Sequence, residues 1–211
     1  MLLALDTSTP LVSVALLDDD RVVANATSDR PMQHGERLAP MITEALDGIG
    51  AIRQDITAVA VGVGPGPFTG LRVGVVTARM LGLALGIPVY GASSLDVLAV
   101  RAVDAGVAEP FLATLDARRK ELFWASYDAA GTRLDGPHVE RPATMPEGLL
   151  VVGAGPVVFP DLFDRVAGPT VPDAGTLARA VAEERVELVD PEPVYLRRPD
   201  AVVPGPPKKV S

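Results

Sequence analysis

The chain contains no cysteine and only two histidines, His34 and His138, and aromatic residues make up 4% of its 211 residues. Without thiols there is no disulfide framework, no thiolate zinc site, no iron–sulfur cluster and no cysteine nucleophile. Any chemistry that this chain performs must therefore depend on oxygen and imidazole groups.

A basic region is also missing, because the net charge is −8 and both halves of the chain are acidic. Nucleic-acid binding depends on Lys and Arg side chains at phosphates, so this chain is not expected to bind tRNA or DNA by itself. The apolar stretch near the N-terminus has no basic residue before it and is interrupted by Asp6, so we expect no secretory signal. No run approaches the roughly 18 apolar residues of a membrane span. We expect a cytoplasmic protein that does not enter a membrane and meets nucleic acid only through a partner.

The apolar pattern predicts an α/β protein that begins with a β-meander. Strands are expected at 1–8, 11–18, 21–28 and 56–64, and helices at 34–50, 68–85 and 93–103. The third helix carries Ser93 as N-cap and Asp96 three positions later, which is the pattern of a capping box.

The pattern changes near residue 105, where a second group of strands begins. Two strands flank a charged turn at 118–120, another strand is expected within 148–155, and a helix at 176–186. We predict an N-terminal lobe at 1–104, a C-terminal α/β lobe at 105–200 and a proline-rich, mobile tail at 201–211.

Glycine and proline are concentrated in GVGPGPFTG, between a buried strand and a helix. Backbone N–H groups at the start of that helix suit a phosphate or carboxylate, and Gly64, Gly66 and Thr69 are the candidate residues. The turn DTSTP adds Asp6 and Thr7, which could hold a phosphate or a metal. Neither a Walker A nor a dinucleotide fingerprint is present, and turns of this composition also occur without a ligand.

The helix at 68–85 carries small residues at four-residue spacing, Gly70, Gly74 and Ala78. A glycine inside a helix costs about 1 kcal/mol relative to alanine, so its presence indicates that another part of the structure approaches closely. The opposite face is apolar as well. The approaching group could belong to this chain or to a partner, and the sequence does not separate these alternatives.

No catalytic constellation is apparent in the sequence. His34 is followed four positions later by Leu38, so it lacks the second histidine of a helical metal pair. His138 lies in DGPHVERP, where a loop is expected, and no nucleophile elbow of the Gly-x-Ser-x-Gly type occurs. The charged cluster around Arg118 is most simply a solvated hairpin tip. We predict no catalytic residue and no metal site.

Six segments in a fixed order resemble the TsaB family, also called YeaZ, of bacterial tRNA threonylcarbamoyladenosine biosynthesis proteins. They are LALDTSTPLVSVAL, HGERLAPMI, GVGPGPFTGLRVGVVTARMLGLALGIPV, SSLDVLA, LDARRKELFWASY and PVYLRRPDA. The resemblance covers the chain to about residue 200. It implies a shortened, two-lobed α/β fold of the actin-like ATPase group, which includes sugar kinases and Hsp70.

The resemblance also implies a function and a set of partners. Members are non-catalytic subunits that pair with TsaD through a helical bundle, recruit the ATPase TsaE, and form homodimers when alone. On this basis the expected partner interface includes Leu38, Ile42, Gly70, Leu71, Gly74, Val75 and Ala78. No tightly bound cofactor is expected, although ATP or ADP could bind at the complex interface. The alternatives are a stand-alone actin-like ATP-binding kinase or hydrolase, and a glycoprotease of the M22 type.

Overall fold

A five-stranded mixed sheet forms the first half of the chain in the computed structural model, which describes residues 1–28 and 31–197. Its strands are β1 (Leu2–Asp6), β2 (Ser13–Asp18), β3 (Arg21–Thr27), β4 (Ala58–Gly62) and β5 (Val89–Ala92), in the order β3-β2-β1-β4-β5. β1 pairs antiparallel with β2 and parallel with β4. Most residues of β1, β2 and β4 are buried, which agrees with their nearly continuous apolar sequences.

Helices cover both faces of this sheet. Leucine and valine side chains on one face pack against α1 (His34–Gly48) and α2 (Phe68–Leu85). Alanines on the other face, such as Ala4, Ala15 and Ala60, pack against α5 (Ala174–Ala182) and against α3 (Ser94–Asp104). The two faces differ because successive residues of a strand point to opposite sides of the sheet.

A four-stranded sheet forms the second half and contains β6 (Phe111–Asp116), β7 (Leu122–Tyr127), β8 (Arg133–Glu140) and β9 (Leu150–Gly153). The order is β8-β7-β6-β9, and β9 runs parallel to β6. Leu95 and Leu98 of α3 pack on this sheet while Val97 and Val100 of the same helix pack toward the first. The helix is therefore buried between the two sheets. A four-residue helix, α4 (Gly155–Val158), follows β9.

The first four strands of the five-stranded sheet have the same topology as the four strands of the second sheet. In each, three antiparallel strands form a meander, and the next strand along the chain lies parallel to the first strand of that meander. The sequence contains no visible repeat of this length, so the repetition exists in the fold alone.

The α/β class predicted from the sequence is confirmed by two mixed sheets and the helices packed on them. The sheets lie on either side of residue 104, but α5 packs against the first sheet, so the proposed lobe boundary remains a prediction. The tail at 201–211 lies outside the described residues.

Three local predictions were wrong. The segment around His138 was expected to be a loop, yet it forms β8, which the sequence pattern misses because Gly136 and Pro137 interrupt it. Ser93 is the N-cap residue of α3 as predicted, but its side chain makes no capping hydrogen bond, so the predicted capping box does not form. The helix expected at 176–186 instead spans Ala174–Ala182, and Asp173 caps it by accepting from the Thr176 N–H at 3.0 Å.

Candidate functional site

The turn after β1 and the glycine turn after β4 meet at the same edge of the first sheet. The Asp6 carboxylate is buried and accepts hydrogen bonds from the Ser8 backbone N–H at 2.7 Å, the Ser8 hydroxyl at 2.6 Å and the Ser94 hydroxyl at 2.7 Å. Burial raises the pKa of Asp6 above its ordinary value, although the hydrogen bonds from Ser8 and Ser94 partly oppose this effect. Both carboxylate oxygens therefore already have donors within the chain.

Glycine is required where these turns touch. A Cβ on Gly62 would overlap the Asp6 carboxylate, and a Cβ on Gly66 would overlap the backbone of Ser8. Gly64 has φ +98°, which favours glycine because other side chains rarely adopt this conformation. Close packing within the chain accounts for Gly62 and Gly66, and the backbone conformation accounts for Gly64.

The structure brings together most residues of the predicted phosphate turn. Asp6, Thr7 and Gly64 are buried, Gly66 is half-buried and Thr69 is exposed at the start of α2. The side chains of Asp6 and Thr7 bond to this chain's own backbone and hydroxyl groups. That this turn binds a nucleotide or phosphate remains a prediction.

His34 lies at the first turn of α1 and is buried beside Gly70. Its Nε2 atom is 2.7 Å from the carbonyl oxygen of Thr9, and because a carbonyl can only accept, Nε2 carries the proton in this bond. The imidazole thus ties the turn after β1 to α1. In the described part of the chain, no three His, Asp or Glu side chains form a group that could hold a metal ion.

The side chains expected at a partner interface are not on the surface. Those of α1 and α2 face the first sheet and belong to the interior: Leu38, Ile42, Gly70, Leu71, Gly74, Val75 and Ala78. Gly70 would place a Cβ against the His34 ring, and Gly74 would place one against the Thr7 hydroxyl. The close approach inferred from the glycine spacing is therefore made by this chain, and the interface assignment needs other residues.

The opposite side of α2 is exposed and apolar. Val76 is 56% exposed, Met80 57% and Leu83 79%. Their spacing of four and three residues places them on one stripe of the helix, which we call the α2 stripe. Exposed apolar side chains grouped on one side of a helix are candidates for an interaction surface.

α2 is also the one helix in the described part of the chain that is long and apolar enough to cross a membrane, with a mean hydropathy of 1.4 over 18 residues. One third of the helix is buried inside the protein, and it carries Arg72 and Arg79, so the finding is weak evidence for a span.

The turn between β6 and β7 has an unusual backbone. Arg118, Arg119 and Lys120 have φ values of +61°, +56° and +63°, so three consecutive residues other than glycine are left-handed. The Asp116 carboxylate accepts from the Arg118 N–H at 2.7 Å, and Arg197 donates to the Ala117 carbonyl at 2.8 Å. The sequence carries no signal for this conformation, because Arg and Lys are not typical left-handed residues.

A polar cluster joins α3 to the second sheet. The Tyr127 hydroxyl donates to Asp96 at 2.7 Å, and Arg133 lies 3.7 Å from the same carboxylate. Burial raises the pKa of Asp96, and burial together with the neighbouring Asp96 carboxylate raises the pKa of Tyr127 well above its ordinary value. A cavity of about 310 Å³ borders Asp96, Arg133 and Glu187.

Known proteins resemble the chain over nearly its whole length. The model of a family described as TsaD, tRNA N6-adenosine threonylcarbamoyltransferase, matches residues 23–149. The tRNA threonylcarbamoyladenosine biosynthesis protein TsaB of Escherichia coli is 33% identical over 219 residues, which cover 93% of this chain and 94% of the relative. An uncharacterized protein of Mycobacterium tuberculosis is 39% identical over 204 residues, 94% of this chain and 92% of the relative. The solved structure of YeaZ from Pseudomonas aeruginosa has a TM-score of 0.77 at 31% identity and covers 92% of this chain and 99% of its own.

Proposed function

The chain belongs to the TsaB (YeaZ) family, and on that premise we propose that it is a non-catalytic subunit of the machinery that makes threonylcarbamoyladenosine in tRNA. It pairs with a TsaD homologue, activates that partner, and helps to recruit a TsaE homologue. The transfer of the threonylcarbamoyl group takes place on the partner. The complex works in the cytoplasm, and this chain meets tRNA within it.

The observation that carries the pairing is the α2 stripe. Val76, Met80 and Leu83 lie on a helix whose other side is held rigidly against the first sheet, so the stripe is presented without rearrangement. Full burial of an exposed apolar side chain of this size contributes about 1.5–3 kcal/mol, and each of these partly exposed side chains contributes a share of that. A partner that covers the stripe therefore gains binding free energy at little cost in conformational entropy.

The partner surface should be apolar and flat enough to pack on a helix. A homologous subunit with an equivalent helix fits this description, and so does a second copy of this chain when the partner is absent. We propose a heterodimer in the working complex and a homodimer of the isolated protein, each formed through the α2 stripe.

The junction between the two subunits is the one place where we propose that a nucleotide binds. The Asp6 oxygens accept three hydrogen bonds from within the chain, so a magnesium–nucleotide bound through this carboxylate would have to replace some of them. We propose that any ATP or ADP bound by the complex is held by residues of both subunits. Calorimetry with ATP and magnesium tests this point, because tight binding with turnover by the isolated chain would support a stand-alone kinase or hydrolase instead.

Reconstitution tests the function as a whole. Purified chain, TsaD homologue, TsaE homologue and the adenylate-forming enzyme are incubated with tRNA, and threonylcarbamoyladenosine is measured by mass spectrometry of the digested nucleosides. We expect modification to require this chain. Full modification in a reaction without it would refute the proposal.

A further inference from the structure

An aromatic ring and an arginine continue the α2 stripe toward the start of the helix. Phe68 and Arg72 precede Val76 and Met80 at four-residue spacing, so all four residues lie on the same side of α2. Arg72 is exposed, and Phe68 is 39% exposed. The exposed surface of α2 is therefore continuous from its first residue to Leu83, and it carries a cation next to its apolar part.

The Arg72 side chain is held in place by two rings. Its guanidinium lies 3.9 Å from the centre of the Phe68 ring and 5.9 Å from the centre of the Tyr195 ring, and its Nε donates to the Tyr195 hydroxyl at 2.8 Å. The two rings are 4.9 Å apart between centroids. Tyr195 is anchored in turn, because the preceding Val194 donates its N–H to the Val63 carbonyl at 2.9 Å. The arginine therefore loses little conformational entropy when a partner binds it.

The group formed by Arg72 and Tyr195 offers hydrogen-bond donors. The bond to Tyr195 uses the Nε of Arg72, and the two Nη atoms carry the other four N–H groups of the guanidinium. The Tyr195 hydroxyl accepts that bond and keeps its own O–H for donation. Within residues 1–28 and 31–197, the groups that contact the guanidinium are two neutral rings and not a carboxylate. A negatively charged acceptor is the group that fits here.

The composition of α2 argues against a second copy of this helix as the source of that acceptor. α2 contains Arg72 and Arg79 and no Asp or Glu, in a chain whose net charge is −8. Glu192 lies 3.9 Å from Arg79, and both side chains are more than half exposed. Two α2 helices packed on each other would bring arginines together without an acid from either helix. Like charges across an interface lower affinity and select against that pairing.

We propose that Arg72 and Tyr195 bind a carboxylate side chain of the TsaD homologue, next to an apolar helix face that covers the α2 stripe. The inference rests on the proposed function, which makes that homologue the partner, and it explains why the heterodimer is preferred to the homodimer. The planar guanidinium matches a carboxylate with two parallel hydrogen bonds. Arginine and tyrosine are also the residue types that most often dominate interface affinity. A phosphate would match the charge, but it would leave the adjoining stripe uncovered.

The test compares the two associations of the purified, full-length chain. Calorimetry measures the dissociation constant with the TsaD homologue, and analytical ultracentrifugation measures that of the homodimer. Arg72→Gln removes the charge, Arg72→Lys keeps the charge without the planar fork, and Tyr195→Phe removes the hydroxyl and keeps the ring. Arg141→Gln is the matched control, because Arg141 is an exposed arginine that follows β8 in the second half of the chain. Thermal unfolding checks that each variant is folded.

We expect Arg72→Gln to weaken the heterodimer at least about tenfold, because the partner carboxylate would be left without its charge partner. Arg72→Lys should recover part of this loss, and Tyr195→Phe should weaken binding about fivefold. The homodimer should not weaken in Arg72→Gln, and Arg141→Gln should change neither association. Raising the salt concentration from about 0.1 M to about 0.5 M should weaken the wild-type heterodimer more than that of Arg72→Gln.

The outcomes separate this inference from the proposed function. If the wild-type chain binds the TsaD homologue and Arg72→Gln binds it equally well, the carboxylate contact is refuted and the proposed function stands. Equal losses in Arg72→Gln and Arg141→Gln would also refute the contact, since net charge would then explain them. A homodimer weakened as much as the heterodimer would assign the acceptor to a second copy.

Two further results would also overturn the inference. Normal assembly of Arg72→Gln together with weaker tRNA binding by the complex would assign Arg72 to a phosphate instead of a carboxylate. Failure of the wild-type chain to bind the TsaD homologue would refute the proposed function and this inference with it.

Discussion

The hydroxyl of Thr7 and the backbone of Gly74 join the end of β1 to the middle of α2. Thr7 Oγ1 accepts from the Gly74 N–H at 3.1 Å and donates to the Gly70 carbonyl at 2.8 Å. These are the N–H and the carbonyl that an α-helix joins directly, so the hydroxyl lies alongside one bond of the helix ladder. Only glycine at position 74 leaves room for it.

Gly74→Ala should therefore lower the free energy of unfolding, by about 1–3 kcal/mol, because the added methyl group overlaps Thr7 Oγ1. Adding Thr7→Ala removes the overlap, so the double variant should be more stable than the sum of the two single changes predicts. Denaturant unfolding measures all three. Gly35→Ala is the control, since a methyl group at position 35 would meet no atom within 4 Å and alanine favours a helix. If the effects of Thr7→Ala and Gly74→Ala on the free energy of unfolding are additive, the Thr7 side chain is not the reason that residue 74 is glycine.

Met80→Glu should weaken the association with the TsaD homologue at least about tenfold, because a charge in the α2 stripe would have to be buried in the interface. The association between two copies of this chain should weaken for the same reason. The side chain is 57% exposed, so the variant should fold with normal stability. Analytical ultracentrifugation measures the association. Leu134→Glu, on the exposed face of β8, introduces the same charge elsewhere and should have no effect. Normal assembly of the Met80→Glu variant would show that the α2 stripe is not part of the interface.

Tyr127→Phe should cost about 1–3 kcal/mol of unfolding free energy, because it removes the hydroxyl that donates to the buried Asp96 carboxylate. The ring stack with Phe111, 5.4 Å between centroids, is retained, so the loss reports on the hydrogen bond. Urea unfolding at neutral pH measures the cost, with Tyr90→Phe on β5 as the matched hydroxyl deletion. A Tyr127 variant as stable as the wild type would mean that water replaces the hydroxyl at Asp96.

Acid should weaken the contact that Asp173 makes between α5 and α3. Burial alone would raise the pKa of Asp173, but bonds from the Thr176 N–H and hydroxyl and the charge of Arg101 outweigh it and lower that pKa. A depressed pKa stabilises the folded state above the unfolded-state value, about 3.9, and this contribution is lost as the pH falls further through the folded-state value.

The measurement compares unfolding free energies of the wild type and Asp173→Asn between about pH 6 and pH 3. The stability difference should be largest above about pH 5 and should shrink below about pH 4, because Asn keeps an acceptor for the Thr176 N–H but never carries the charge. Arg101→Gln should reduce the pH dependence without removing it. A difference that is constant over this range would contradict a lowered pKa.

Local patterns were sufficient for most elements. The helix expected at 68–85 spans Phe68–Leu85, and the opening meander has its three strands where apolar runs bounded by turns indicate them. Prediction failed where a distant residue decided the outcome. Asp96 has the spacing of a capping box, but its carboxylate accepts from Tyr127, which lies 31 positions away in sequence. β8 was missed because pairing with β7 overrides the turn signals of Gly136 and Pro137.

Local sequence patterns also did not determine which side of α2 faces the core and which side faces solvent. Because α2 is apolar on nearly all sides, its sequence has no polar face to mark the side that meets solvent, and the residues assigned to a partner proved to face the chain's own core. The sequence also did not predict the conformation of the β6–β7 turn, where backbone bonds between Ala117, Arg118 and Glu121 and side-chain bonds of Asp116 and Arg197 accompany three left-handed residues.

The sequence by itself determined the family, the α/β class, the absence of thiol chemistry and the order of most helices and strands, because these follow from composition, period and ordered motifs. The tertiary structure decided which side of α2 is exposed, why Gly70 and Gly74 are glycine, and which contacts hold the β6–β7 turn. Those properties depend on contacts between residues far apart in sequence, such as Thr7 with Gly74 and Arg197 with Ala117.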